Sequence, residues 1–165
     1  MGKKFITIAL ILIGLNSFSQ ENNKWIPSIR AGVGTWLDIT DLLHGTIGAQ
    51  IEYKSSEVFS LIGNVDYARN FATSSKATEF NQLSISAGPR FYIQETIFVG
   101  AAFGYLQGFY NTSTSFSQSY FLMHSYLGYD TRKLQYTVDF KINAASGVVQ
   151  SYIYFGVAYK FGKQP

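Results

Sequence analysis

His124 and Ser125 stand side by side in the chain, an imidazole next to a hydroxyl, the residue types of a general base and a nucleophile. The pair does chemistry only if both side chains reach one point in space. In a strand, neighbouring residues point to opposite faces, so His124 and Ser125 cannot act together there unless a bulge intervenes. A second set of reactive groups is ionic: Arg30, Arg90, Lys141 and Lys160 against Glu52, Asp66 and Asp139. Such a set can hold a register through ion pairs, and a histidine beside a carboxylate could also serve as a base. Cysteine is absent, which removes disulfides, thiolate metal sites and lipid attachment to an N-terminal cysteine. No phosphate-binding loop, metal-ligand cluster or carboxylate pair with catalytic spacing is present in the sequence. No cofactor and no metal is therefore expected.

The elements that must position these groups are strands. Beyond residue 25 the chain shows no sustained helical period, and apolar and polar residues alternate over 28–37, 46–53, 59–67, 82–93, 97–106, 120–129, 134–143 and 154–161. Pro89 weakens the fourth of these, because proline gives no donor to a ladder. One face carries Ile29, Val33, Ile47, Ile51, Val65, Ile85, Val99, Leu127, Val138, Phe155 and Val157. The other carries Ser, Thr, Asn, Gln, Gly and Ala together with the ions just named and His124.

Connections supply an independent signal. Short segments, 54–57, 94–96 and 130–133, alternate with longer ones, 38–43, 70–81, 110–119 and 144–149. Eight strands of roughly ten residues with short turns at one end and long loops at the other make an antiparallel up-and-down β-barrel of the transmembrane kind. A soluble barrel would need a richly charged outer face, and neither face is one. An eight-stranded barrel is wide enough only for its own side chains, so the polar face turns inward and the apolar face turns to lipid. Aligning Tyr129 with Leu134 across the third short turn sets His124 opposite Asp139, and the second turn sets Arg90 opposite Gly100, whose small neighbours leave room for the guanidinium. The lumen network is therefore expected to join Arg30, Glu52, Asp66, Arg90, His124, Asp139 and Lys141. Arg90 is expected to reach Glu52, Asp66 or Asp139.

The N-terminus carries an address. Lys3-Lys4 precede the apolar run Phe5–Leu15, and Ser17-Phe18-Ser19 offers small residues for cleavage before Gln20, so 1–19 reads as a signal peptide and 20–165 as the barrel domain. The apolar run of about eleven residues falls short of the roughly 20 that span a bilayer as a helix. Without Lys3 and Lys4 the formal charge of +3 becomes 3 − 2 = +1, which implies no nucleic-acid partner. Aromatics make up 17% of the chain and charged residues only 14%. Tyr53, Phe59, Phe91, Tyr129, Tyr159 and Phe161 fall beside short turns, and Tyr67, Tyr105 and Phe140 toward the loops, as interfacial girdles would.

On these features residues 25–161 resemble the small eight-stranded outer-membrane β-barrel proteins, the group that includes OmpX and the membrane domain of OmpA. The closing stretch is similar to the C-terminal signal by which the barrel-assembly machinery recognises its clients: here Tyr154, Gly156, Tyr159 and Phe161, followed by the extra tail 162–165. The resemblance implies a monomeric, non-enzymatic protein of the cell outer membrane. Its implied partners are outer-membrane lipid, lipopolysaccharide and the assembly machinery. Two other functions are weighed against it. A lipid A deacylase would need a Ser and His dyad with a His-x-Ser spacing, which is missing. A lipocalin-like carrier would match Gly34-Thr35-Trp36, but its cavity would be apolar.

Overall fold

A computed structural model describes residues 25–37, 42–72, 80–110, 116–145 and 148–161. The expected signal peptide and the tail 162–165 lie outside the described residues, as do most of the four loop segments. The strands are β1 (Trp25–Trp36), β2 (Leu42–Lys54), β3 (Phe59–Ala72), β4 (Phe80–Tyr92), β5 (Ile97–Tyr110), β6 (Phe116–Asp130), β7 (Leu134–Ala145) and β8 (Val148–Lys160). Each pairs antiparallel with the next, and β8 closes on β1.

Register gives the geometry. From Pro27 the paired residues run Ile51, Gly63, Ala87, Phe103, Met123, Ile142 and Ser151, whose carbonyl accepts from Leu37 N, so one circuit advances 37 − 27 = 10 residues. With strands about 4.8 Å apart and about 3.3 Å per residue, that shear tilts the strands by about 40°. A barrel of this size holds side chains and nothing wider.

Period-two alternation fixes which residues enter. Among the residues whose side chains are described, even positions of β1 to β6 and β8 and odd positions of β7 face inward and are buried or half-buried. The opposite set is mostly apolar, and its large members, such as Ile47, Val65, Ile85, Phe103, Leu127 and Phe155, are exposed. An apolar belt of that extent suits hydrocarbon. The girdle at the short-turn end is built as expected, with ring pairs Trp25–Tyr53 at 4.7 Å, Phe59–Phe91 at 5.3 Å and Tyr159–Phe161 at 5.3 Å.

Three sequence expectations change. The strands run further toward the loops than the apolar alternation does, because inward Ala68, Asn70, Gly108 and Gln118 continue the pattern with polar and small residues. The connection after β7 is short: Ala145 pairs with Val148, leaving only 146–147 between the strands. The register of β6 on β7 also differs by two. Tyr129 pairs with Tyr136, and His124 lies opposite Lys141, because Thr131 N and Leu134 close the turn through the Leu134 carbonyl (2.7 Å) and the Thr131 hydroxyl. A shift of two preserves every facing.

The β4–β5 pairing is interrupted at Gly88 and Pro89. Pairs summing to the same register are hydrogen-bonded at odd positions, as in Ile93 N to Ile97 O at 2.8 Å, so Pro89, which has no N–H, leaves the Ala101 carbonyl without its ladder donor. That carbonyl leans over Gly88, where an added Cβ would collide with Ala101 O and lie 2.6 Å from Ala102 Cα. Gly88→Ala is expected to cost roughly 1–3 kcal/mol, since backbone cannot step aside. Gly63→Ala, whose Cβ would meet only Ile51 Cγ2 at 3.4 Å, should be neutral or slightly stabilising. Urea unfolding in lipid vesicles distinguishes the two, and equal stabilities would refute this reading of the seam.

Candidate functional site: the closed interior

The lumen is organised in layers along the barrel axis. Nearest the short turns, Lys160 Nζ pairs with Asp130, and the Tyr92 hydroxyl lies 2.7 Å from Glu52 Oε1 and 3.2 Å from Asp130 Oδ2. Arg90 Nη1 donates to Glu52 Oε2 at 2.8 Å, and Nη2 to Gln135 Oε1 at 3.2 Å and Gln50 Oε1 at 3.4 Å. Gln50 and Gln135 are themselves joined at 3.1 Å. The Arg90 guanidinium also sits 4.3 Å from the Phe98 ring centroid and 5.4 Å from that of Tyr126.

A second layer crosses the middle. Arg30 bridges Asp139 Oδ2 at 2.9 Å and Asp66 Oδ1 at 3.4 Å, and Lys141 Nζ reaches Asp66 Oδ2 at 3.1 Å. His124 Nε2 lies 2.8 Å from Asp139 Oδ1, and the Thr137 hydroxyl donates to Asp139 Oδ2 at 3.0 Å. Toward the loops the lining turns aromatic: Trp36 stacks on His44 at 5.7 Å, and the edges of Tyr152 and Tyr154 approach His44 at 5.6 and 6.4 Å. The Tyr152 hydroxyl there donates to Gln150 at 2.7 Å and accepts from Gln82 at 3.0 Å.

All seven residues of the expected lumen network are buried and belong to these layers: Arg30, Glu52, Asp66, Arg90, His124, Asp139 and Lys141. His124 and Asp139 do meet, but diagonally, with Asp139 directly opposite Tyr126. Arg90 does face Gly100, yet the space over Gly100 is filled by the Tyr126 ring rather than by the guanidinium. Gly128 likewise admits Phe98, and Gly34 admits Tyr154. The inner face is thus far more aromatic than its run of small residues suggested, with Tyr92, Phe98, Tyr120, Tyr126, Tyr152 and Tyr154 all inside. Asp130, Tyr92 and His44 were not singled out in the sequence. Parity alone could have found them, since each continues the inward even series of its strand.

Charge closes as well. Among the described residues the buried cations Arg30, Arg90, Lys141 and Lys160 face the buried carboxylates Glu52, Asp66, Asp130 and Asp139, four of each. Balanced pairing offsets the cost of taking these groups out of water. The catalytic reading finds less. Ser125 is exposed on the outer face, and His124 Nδ1 is buried with no hydrogen-bond partner. Among the described residues no group of three or more His, Cys, Asp or Glu is placed to hold a metal ion. Of the closing motif, Tyr154 and Gly156 face inward, while Tyr159 is outward and packs edge-on against Phe161.

No family model matches this chain, and no curated protein does. Solved structures do. Ail, the attachment invasion locus protein of Yersinia pestis, superposes with a TM-score of 0.58 at 16% identity, over 83% of this chain and 96% of that one. The N-terminal β-barrel domain of Pseudomonas aeruginosa OprF gives 0.59 at 13% identity, over 86% and 100%. The outer membrane enzyme PagL gives 0.57 at 12% identity, over 82% and 99%. At these identities the likeness speaks for architecture, and the same architecture serves both an attachment protein and an enzyme. The chain has the fold of the small eight-stranded outer-membrane β-barrels.

Proposed function

We propose that this protein is an integral outer-membrane barrel whose interior is closed by its own side chains, and that it serves the envelope as a structural or surface-interaction component rather than as an enzyme. The observation that carries this reading is the filled, charge-balanced lumen, in which the one histidine and carboxylate pair among the described residues, His124 and Asp139, has its serine neighbour on the opposite face of the wall. A base whose adjacent serine lies on the other face of the wall serves register rather than acyl transfer. The test uses one refolded sample: lipid A incubated with it should keep its mass, and planar bilayers containing it should show no steady conductance. Loss of an acyl chain would establish the deacylase alternative, and a stable open channel would refute the closed interior.

Assembly is proposed to run through the C-terminal strand, with Tyr154, Gly156, Tyr159 and Phe161 presented to the barrel-assembly machinery and the folded product a monomer in lipid and lipopolysaccharide. Tyr159→Ala with Phe161→Ala should leave export intact and lower outer-membrane yield severalfold, with degradation in the periplasm. Immunoblots of membrane and periplasmic fractions check this. Unchanged membrane yield would reduce the motif to an ordinary strand end.

A further inference from the structure

Two histidines lie inside the barrel, and the wall treats them oppositely. His124 Nε2 rests 2.8 Å from Asp139 Oδ1, so a proton gained there meets a carboxylate. His44 is fully buried nearer the loops, and neither its Nδ1 nor its Nε2 has a hydrogen-bond partner. What surrounds it is aromatic. Trp36 stacks on the imidazole at 5.7 Å with 17° between the planes, and Tyr152 and Tyr154 stand steeply inclined to it at 5.6 and 6.4 Å.

The strands packed around His44 bring it no countercharge among the described residues. From β1 come Gly34, directly opposite, and Trp36. On β3 Asn70 lies opposite, and the nearest inward ionic residue of that strand, Asp66, is already held by Lys141 and Arg30. β8 supplies the phenols Tyr152 and Tyr154, and the Lys141 ammonium of β7 sits 5.1 Å from the Tyr154 ring centroid, a like charge rather than a partner. β4 sends Gln82, whose amide donates to the Tyr152 hydroxyl. Along β2 itself the inward residues after His44 are Thr46, Gly48 and Gln50 before Glu52, which pairs with Arg90.

A neutral imidazole suits this box as a flat, packed wedge. An imidazolium does not. The described lumen already balances its cations and carboxylates, so a proton on His44 is surplus charge, and the ring faces attract a cation without replacing the two hydrogen bonds that water gives it. The way out is short, because Trp36, which covers His44, is half-buried at the loop end of β1.

We propose that His44 and its aromatic box form an acid-responsive latch at the loop end of the barrel. The neutral ring keeps Trp36, Tyr152 and Tyr154 packed; protonation drives it out of the box toward water and lifts Trp36, while the ionic layers beneath stay paired. Protons bind the open arrangement better than the packed one, so acid populates the open form and neutral solution restores the packed one. The latch goes beyond the envelope role proposed above and rests on the closed interior alone.

The experiment uses a Trp25→Phe background, in which Trp36 is the one tryptophan, with His44→Phe and His124→Asn each added to it. The three proteins are refolded into phosphatidylcholine vesicles and titrated from about pH 7.5 to about pH 4.5 while acrylamide quenching of Trp36 is read. Quenching should rise severalfold in acid and return on neutralisation in the background protein and in His124→Asn. His44→Phe keeps the wedge without the proton and should stay flat. A flat profile in the background protein, a rise that persists in His44→Phe, or a rise that His124→Asn abolishes would each overturn the latch. A second readout does not depend on replacing His44: the imidazole proton resonance that survives in His124→Asn should move through the same pH step as the quenching, and one that stays still through it would overturn the proposal. Heat-dependent gel migration shows which variants are folded. A wild type that does not enter the vesicles would overturn the barrel reading, and the latch with it.

Discussion

Replacing Arg90 with alanine is expected to cost the folded barrel about 3–5 kcal/mol, the largest effect of any single truncation in the lumen. Arg90 is fully buried and joins Glu52, Gln50 and Gln135 while stacking against Phe98 and Tyr126. Its removal leaves the Glu52 carboxylate inside a low-dielectric interior with the Tyr92 hydroxyl, at 2.7 Å, as its remaining hydrogen bond among the described residues. The penalty is removable. Arg90→Met with Glu52→Gln deletes both charges, keeps most of the volume, and should recover most of the loss, because an absent pair costs far less than half of one. Urea titrations of the single and double variants in lipid vesicles measure the coupling between the two sites. If the double variant were as unstable as the sum of its parts, the ion pair would not be what holds this layer.

The second large effect lies on the other face. Val65 points outward from the middle of β3, between Ala49 of β2 and Ile85 of β4. Val65→Arg should destabilise the inserted barrel by roughly 2–4 kcal/mol, as expected for a cation at mid-depth in hydrocarbon. The same change at Tyr53 or Tyr129, in the girdle beside the short turns, should cost about 0–1 kcal/mol, since a long side chain there reaches the headgroups. Depth, rather than burial in protein, decides the penalty. A uniform cost at all three positions would contradict the membrane orientation, and a soluble barrel would show almost none at Val65.

Much of this was legible in the sequence because one rule, period two, runs through every strand. Ile47, Val65 and Phe155 on one face and Gln50, Asp66 and Tyr154 on the other required no knowledge of partners. The lumen charges followed from the same parity, which is why the seven expected network residues are all inside. Register was harder. Alternation cannot distinguish a turn closed by two residues from one closed by four, and the β6–β7 slip of two left every facing correct while moving Asp139 from His124 to Tyr126. Strand ends were harder still, because Asn70, Gly108 and Gln118 keep the inward parity without any apolar contrast to mark them. Small residues are harder to read from sequence: Gly100 looks like space for a cation and is in fact the seat of the Tyr126 ring from the neighbouring strand, as Gly128 is for Phe98. That assignment depends on which strand lies beside which, and composition does not carry it.

The central claim, a closed transmembrane barrel with its apolar face outward, is tested most directly by gel migration of the detergent-refolded wild type with and without boiling. The closed register of eight paired strands predicts a compact, fast-migrating species in the unheated sample that converts to a slower band on boiling, with precipitation when detergent is removed. A chain that migrates identically in both lanes and stays monomeric in plain buffer would contradict the account.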